Sequence, residues 1–329
     1  MTDVPTREIP PSPAHGGGVG GGGASTTTAT LTAVVVSYNR RDLVARCLDS
    51  LLSDPEAPSL EVIVVDNASQ DGAATMLAEQ YPGVRVIAND VNVGYGRACN
   101  QGLAVAQGRY LLVLNQDIVV RPGSLAALVR FADEHPDAGL VGARLEYEDG
   151  RFQHSAFRFP DTKQAFYGFF DNLVPLDSET NGRYPAAHYE RPFAAEHLLG
   201  ACLLIRREAA EQVGLFDPVF FMYYEETDLC ARMVTAGWRN YYCPEARVMH
   251  VSAASTSAAS EKMSVEFHRS QAIFYRRHRG GGGYALLKAI VWAGVAYRFA
   301  RSVRAFLRGR ISGALLRERS IGYWRILWF

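Results

Sequence analysis

The chain has 329 residues, of which 48% are hydrophobic and 21% charged, a balance ordinary for a globular protein. Its formal net charge of zero hides a split: from Glu261 onward there are 14 Lys/Arg against 3 Glu and no Asp, a surplus of +11 that the rest of the chain offsets. A basic tail on an acidic body points to an anionic surface; without any nucleic-acid-binding motif, nucleic acid is not the expected partner.

Residues 1–30 are rich in Pro, Gly and Thr, include "GGGVGGGGAS", and are expected to be disordered. No apolar h-region follows the early charges, so no signal peptide is expected. Order begins at "LTAVVVSYN", a continuous apolar run that reads as a buried strand. "RRDLVARCLDSLL" follows with helical spacing at Leu43, Cys47, Leu48 and Leu51. "LEVIVVDNAS", "VRVIAND" and "YLLVLNQD" read as three more strands, with helices in "GAATMLAEQY" and "GYGRACNQGLAVAQ" between them. Strands alternating with helices predict parallel βαβ units with both sheet faces covered, an α/β fold. Further on, "GLVGARLEYEDG" predicts a strand and turn. "AAEHLLGACLLIRREAAEQVG" predicts a loop, strand and helix, "EETDLCARMVTAGW" a helix, and "WRNYYCPEARVMHVS" one or two closing strands. The five cysteines, Cys47, Cys99, Cys202, Cys230 and Cys243, are scattered and odd in number, which fits a reduced cytosolic setting.

The first four strands each end in polar groups: Ser37 and Asn39, Asp66 and Asn67, Asn89, then Asn115 and Asp117. Ligands of open α/β sheets bind beyond the carboxyl ends of the strands, so four polar ends on one edge predict a binding crevice. The turn "SYNRRD" has no GxGxxG and the chain has no GxxxxGK[ST], which argues against a dinucleotide site and excludes a P-loop. A second signal is "FFMYYEETDLCARMVTAGW". Three carboxylates, Glu225, Glu226 and Asp228, crowd the start of a helix whose apolar face is Leu229, Met233 and Ala236. Thr227 or Asp228 serves as a cap in the simplest reading. The surplus acids would repel one another and raise at least one pKa, as a general base requires. His250 ends the last strand and gains a role only if it converges with Asp117.

Residues 31–255 resemble the family 2 glycosyltransferases of the GT-A fold, in particular a bacterial rhamnosyltransferase-like branch. The matching pieces are "VVVSYNR", "VIVVDNAS", "NVGYGRACNQG", "LNQDIVV", "LLGACLLIRREAAEQVGLFDPVFFMYYEETDLCARMVTAGW" and "PEARVMH", in family order. The resemblance implies a mostly parallel sheet flanked by helices and a nucleotide diphosphate sugar donor. Base and ribose would lie across Ser37, Tyr38, Asn39, Asp66 and Asn67, with Asn92, Gly94, Arg97 and Asn100 bordering nucleotide and phosphates. Asp117 with His250 would hold Mg²⁺ or Mn²⁺. Asn115 stands where the family's DxD motif has its first carboxylate, and Gln116 where many members have Pro. Glu226 would be the base, positioned by Glu225 and Asp228, in an inverting transfer. Gly200 and Ala201 would let the acceptor approach the backbone.

The chain therefore divides, in expectation, into the disordered 1–30, a GT-A domain over 31–279 and a basic helical tail over 280–329. "YALLKAIVWAGVAYRFARSVRAFL" is apolar on a broad face and interrupted by Lys288 and Arg298. It is too short between charges to span a bilayer and reads as an interfacial amphipathic helix. A polyprenyl-diphosphate-linked acceptor, or another glycan, would place the enzyme as a peripheral protein on the cytoplasmic face of a membrane, building cell-wall or surface polysaccharide. The donor expected from the branch is dTDP-L-rhamnose. A sugar nucleotidyltransferase would need a Gly-rich loop after the first strand. A non-catalytic binding module would not need both Asp117 and the acidic cluster.

Overall fold

The structure, a computed structural model, describes residues 6–9 (backbone only), 29–170, 179–251 and 260–329. The first half alternates as expected: β2 (Leu31–Ser37), α1 (Arg41–Leu52), β3 (Leu60–Asp66), α2 (Ala73–Gln80), β4 (Arg85–Asn89), α3 (Tyr95–Val105) and β5 (Tyr110–Asn115). Residues 1–30 are not wholly outside the fold, because β1 (Thr6–Ile9) adds antiparallel to the β4 edge. The rest of that segment up to residue 28 lies outside the described residues.

Then come β6 (Ile118–Val120), α4 (Ser124–Glu134), β7 (Ala138–Glu146), β8 (Phe152–Gln153), β9 (Ala156–Phe157) and α5 (Thr162–Phe169). After two 3₁₀ turns follow β10 (Phe193–Ala195), β11 (His197–Leu198), β12 (Cys202–Arg206), α6 (Arg207–Val213), α7 (Glu225–Thr235) and β13 (Arg239–His250). Three helices close the chain: α8 (Ser260–His278), α9 (Gly280–Leu307) and α10 (Gly313–Leu327).

The main sheet runs β1-β4-β3-β2-β5-β12-β7-β13-β10, with β6 on β13 and β8 on β7. Strands β4, β3, β2 and β5 are parallel, whereas β12 is antiparallel to both its neighbours. Every residue of β2 is buried. Ala33 and Val35 face one core cluster with Val44, Cys47 and Leu48 of α1, while Val34 and Val36 face the other with Ala98, Cys99 and Leu103 of α3. Alternation across a strand covered on both sides accounts for its unbroken apolar run. Gly102 lets α3 sit on β2, since a Cβ there would come 2.5 Å from Val34 Cγ1. From β2 the chain moves outward to β3 and β4, then returns to place β5 on β2's other side. This reversal opens the crevice where α/β sheets bind ligands.

The tail differs from the expected separate interfacial helix. Leu287, Val291 and Val295 of α9 join Phe169 of α5, Phe274 and Tyr275 of α8, Ile326 of α10, and Tyr224, which precedes α7, in a third core cluster. Gly294 permits the contact, because a Cβ there would lie 2.2 Å from Phe169 Cγ. Among the described residues no helix is long and apolar enough to cross a membrane.

Candidate active site

Ser37 and Asp66 are register partners at the carboxyl ends of β2 and β3, and both are buried. Ser69 N–H donates to Asp66 Oδ2 at 3.2 Å. Ser37 Oγ and Asp66 Oδ1 have no hydrogen-bond partner among the described residues. Burial pushes the Asp66 carboxyl above its ordinary range, against the pull of Ser69. Buried polar atoms are normally paired, so two orphans side by side mark a place for a ligand's donors. The neighbouring loop is braced: Asn39, at φ 52°, donates from its N–H to Ser69 Oγ and accepts from Gln70 N–H. Tyr38 leaves its ring 45% exposed over this edge, free to stack on a planar base.

Several residues assigned to the nucleotide by resemblance are committed elsewhere. Gln116 pairs both ways with the Tyr38 backbone, accepting from its N–H at 2.8 Å and donating to its carbonyl at 3.0 Å, like one more ladder rung. Asn67 is buried and accepts from Asn89 and from Val93 N–H while donating to Asn92. Asn92 also accepts from Gly94 N–H. Asn100 exchanges two hydrogen bonds with the Phe216 backbone, and Arg97 Nε donates to Pro218 O. Gly94, at φ +91°, faces Phe221 O, which a Cβ would meet at 2.4 Å. These residues fix α3 and the 214–221 segment and shape the crevice from behind. Asn115, half-buried, stands at the mouth of the crevice, with its N–H bonded to Ala201 O at 3.0 Å.

Asp117 and His250 do converge: His250 Nε2 lies 3.4 Å from Asp117 Oδ1, and both side chains are buried. The pairing of β6 with β13 brings them together, and Val251 N–H bonds Asp117 O at 2.9 Å. On its other side His250 Nδ1 meets the amide oxygen of Gln153 at 3.1 Å, which orients the ring with Nε2 towards the carboxylate. One carboxylate oxygen, one imidazole nitrogen and a second partner orienting the ring are a fitting donor set for a divalent ion that takes its other ligands from phosphate and water. Among the described residues no group of three or more His, Cys, Asp and Glu gathers to hold a metal without such help. Asp42 grips Arg40 at 3.2 Å and favours its charged form, with a smaller contribution from Asp117.

The acidic cluster is three residues with two fates. Asp228 does not cap α7 or point at the crevice. Arg232 Nε and His278 Nε2 each hold it at 2.8 Å, which ties α7 to α8. Tyr224 precedes the helix with no side-chain cap, so neither Thr227 nor Asp228 has that role. Glu225 is buried against Gly96, where a Cβ would come 3.4 Å from its own Cβ. Glu226 leans on Gly200, where the same test gives 3.3 Å. Gly200's missing side chain thus makes room for Glu226. Ala201 is buried behind it. Tyr95 OH donates to Gly200 O at 2.9 Å and braces the backbone on which Glu226 packs. Both glutamates keep one buried, unpartnered oxygen among the described residues. Burial raises both carboxyls, and Glu225 goes furthest because Glu226 repels its charged form. Tyr223 and Tyr224 enter the helix at φ 67° each, a strained turn of the kind that clusters at functional sites.

The sequence reading missed Gln153, Tyr95 and the paired left-handed tyrosines. Tyr95 lay inside the quoted "GYGRAC", but its partner at Gly200 is far along the chain.

The Glycosyl transferase family 2 model matches residues 32–214, more than half of the chain. The chain belongs to glycosyl transferase family 2, and it is a glycosyltransferase enzyme of the GT-A fold. Over 294 residues it is 32% identical to the N-acetylglucosaminyl-diphospho-decaprenol L-rhamnosyltransferase of Mycobacterium tuberculosis (strain ATCC 25618 / H37Rv), covering 84% of this chain and 94% of that one. It is 24% identical to rhamnosyltransferase WbbL of Escherichia coli (strain K12) over 66% of this chain and 81% of that one. A mannosyltransferase of Pyrobaculum calidifontis, solved in complex with GDP-Man and Mn²⁺, superposes with a TM-score of 0.54 at 19% identity, over 92% of this chain and 86% of that one.

Proposed function

We propose that the protein transfers L-rhamnose from dTDP-L-rhamnose to a polyprenyl-diphosphate-linked N-acetylglucosamine, with inversion and with a divalent cation. The observation that carries this reading is the link between the two halves of the site. Glu226 packs against Gly200, and the next residue's carbonyl, Ala201 O, accepts Asn115 N–H at 3.0 Å, two positions before Asp117. The Gly200–Ala201 backbone thus touches Glu226 on one side and the turn leading to Asp117 on the other, which supports one site for base and metal.

Asp66 and Ser37 would take hydrogen bonds from the nucleoside, with Tyr38 on the base. Asp117 and His250 would hold Mg²⁺ or Mn²⁺, which supplies electrostatic stabilisation of the charge developing on the leaving diphosphate. Glu226 would take the proton of the acceptor hydroxyl as its oxygen attacks the anomeric carbon. The bond from that carbon to the diphosphate breaks, and the electron pair leaves with the nucleotide. Attack from the face opposite the leaving group inverts the centre. Glu225, kept protonated by burial beside Glu226, would leave Glu226 as the ionised base.

The acceptor class also fits the tail. Of 15 exposed large apolar side chains among the described residues, eight lie on α9 and α10 or just past α10, including Trp292, Phe299, Trp324 and Trp328. Exposed Arg304, Arg308, Arg317 and Arg325 share these helices or their ends. Tryptophans with arginines suit the headgroup layer of an anionic membrane, here its cytoplasmic face. The test is a panel of nucleotide sugars with a short-chain prenyl-diphospho-N-acetylglucosamine, with Mg²⁺ or Mn²⁺ and with EDTA, reading the product's anomeric configuration by NMR. Turnover from dTDP-L-rhamnose that EDTA abolishes is expected. Turnover only from another donor, or undiminished turnover in EDTA, would overturn the corresponding part.

A further inference from the structure

Strand β2 loses its ladder to β5 one residue before it ends. The last register pair is Val36 with Asn115, because β5 stops there and the chain turns through Gln116 and Asp117. The backbone of Tyr38 lies past the end of that ladder. The Gln116 side chain takes the place of the missing strand, accepting Tyr38 N–H at 2.8 Å and donating to Tyr38 O at 3.0 Å. A carboxamide resembles a peptide group, with an acceptor and a donor in one plane, so it can act as a strand for a single residue. Methionine has the length without the polar atoms, and asparagine carries its amide on a stem one methylene shorter. Gln116 is itself buried, which shields much of the exchange from water.

The backbone so held carries the most exposed aromatic ring at this edge of the sheet, that of Tyr38. Its other flank is tied as well. Asn39 turns the chain at φ 52°, its N–H donates to Ser69 Oγ at 2.9 Å, and its side-chain oxygen accepts Gln70 N–H at 2.7 Å. Ser69 N–H in turn donates to Asp66 Oδ2 at 3.2 Å. Tyr38 is therefore slung between two turns, one holding Asp66 and the other Asp117. An exposed ring on a loose loop would lose conformational entropy each time a base stacked on it. A ring on a fixed backbone has lost most of that freedom beforehand, which leaves more of the stacking energy as affinity.

We propose that Gln116 is the positioning residue of the nucleoside half of the donor site. Its amide clamps the Tyr38 backbone so that the ring forms a fixed shelf for the base. The proposal rests on the glycosyl-transfer reading above, in which Tyr38 meets the base and Asp117 the ion. It gives Gln116 a role at one remove from the ligand: its amide is spent on Tyr38, and its effect on the nucleotide passes through the ring. Because Gln116 is the neighbour of Asp117 in the chain, the same clamp joins the shelf to the turn that would hold the diphosphate's ion. Base and diphosphate are then received at a fixed separation.

The test uses the full chain in EDTA, so that no ion ties a diphosphate to Asp117, with dTDP as the probe and calorimetry as the readout. Melting curves establish that each variant is folded. Tyr38→Ala should weaken dTDP about 5- to 150-fold, the range for one base stacked on an aromatic ring. Gln116→Met nearly keeps the volume and loses both hydrogen bonds, and should weaken dTDP about 5- to 10-fold. The double variant separates positioning from a general structural role. Since Gln116 acts through the ring, adding Gln116→Met to Tyr38→Ala should weaken dTDP no further. Gln116→Asn, which keeps an amide at the site but shortens its reach, repeats the measurement should the Met variant fold poorly. Unchanged dTDP affinity in the Gln116 variants, or the same loss with and without the Tyr38 ring, overturns the proposal and leaves Tyr38 on the base. If Tyr38→Ala itself binds dTDP as the parent does, or the parent binds none, the nucleotide part of the glycosyl-transfer reading fails and the proposal falls with it.

Discussion

Ser37 and Asp66 face each other across the parallel ladder of β2 and β3, and each buries an oxygen that no described group satisfies. Folding has left these atoms desolvated, which costs stability until something donates to them. Asp66→Asn should therefore fold with an unchanged or higher thermal midpoint near neutral pH, because it removes a charge that burial disfavours. Its affinity for dTDP should drop about 10- to 100-fold, the range for a hydrogen bond to a charged group. Calorimetry and a melting curve on one preparation check both halves. Unchanged dTDP affinity would remove Asp66 from the site.

Asp117→Ala should abolish divalent-ion dependence and most of the turnover, with Mn²⁺ binding followed by paramagnetic resonance. Gln153→Ala tests the same centre from outside. It leaves both donor atoms in place and frees the His250 ring to turn, so ion affinity should fall by about 10- to 100-fold. Normal ion affinity in both variants would mean that the pair is structural.

Those two residues show what a sequence can disclose. Asp117 was visible because it interrupts an apolar run, and His250 because it ends one. Their meeting depends on β13 running antiparallel to β6, a pairing between strands more than 120 positions apart that no local pattern encodes. The four parallel strands were legible because burial on both faces leaves unbroken apolar runs. Helices α4 and α5 drew no attention beside the motifs. Asn67, Asn100 and Gln116 bond the protein itself, a commitment invisible in sequence because amide side chains look alike whether they serve a ligand or the backbone. The tail reads in sequence as an interfacial helix because its broad apolar face says only that something covers it. Gly294 against Phe169 shows that α5 does.

Gly294→Val should confirm that α9 belongs to the folded body. The added side chain has no room against Phe169, and overpacking of this kind costs about 1–3 kcal/mol. The melting temperature should fall, and deletion of residues 281–329 should be more damaging still. A fully stable deletion would return α9 and α10 to the status of an appendage.

If α9 and α10 meet a membrane, the contact is made by the side chains that the packing leaves outside. Trp324 and Trp328, 61% and 73% exposed, touch each other at 5.6 Å between ring centroids. Changing both to Ala should reduce binding to vesicles containing anionic lipid without lowering the melting temperature. Replacing Arg317 and Arg325 should cost roughly 1 kcal/mol each at low salt and less at high salt. Binding that survives all four changes would place the membrane face elsewhere.

The two glutamates give the sharpest contrast, since burial raises both and their substitutions should behave in opposite ways. Glu225 is deeply buried and repelled by Glu226, so the folded protein holds its proton more tightly than the unfolded chain does. A carboxyl raised on folding contributes stability that is fully present below its unfolded pKa and lost as pH rises through the folded one. Glu225→Gln copies the protonated state at every pH. It should be more stable than the parent near neutrality, by roughly 1–3 kcal/mol, with the advantage fading as pH falls towards the unfolded carboxyl range near 4. Its turnover should survive, because no role for its charge remains. Glu226→Gln should instead keep dTDP binding and lose about 10²–10⁴-fold in turnover, the worth of a positioned base. In the parent, turnover should fall as pH drops through Glu226's raised pKa, above the ordinary carboxylate range, since the protonated acid cannot accept the acceptor's proton. Melting curves from pH 4 to 8 and pH–rate profiles of the three proteins decide the matter. A dead Glu225→Gln beside an active Glu226→Gln would exchange their roles. If both remain active, the proton leaves by another route.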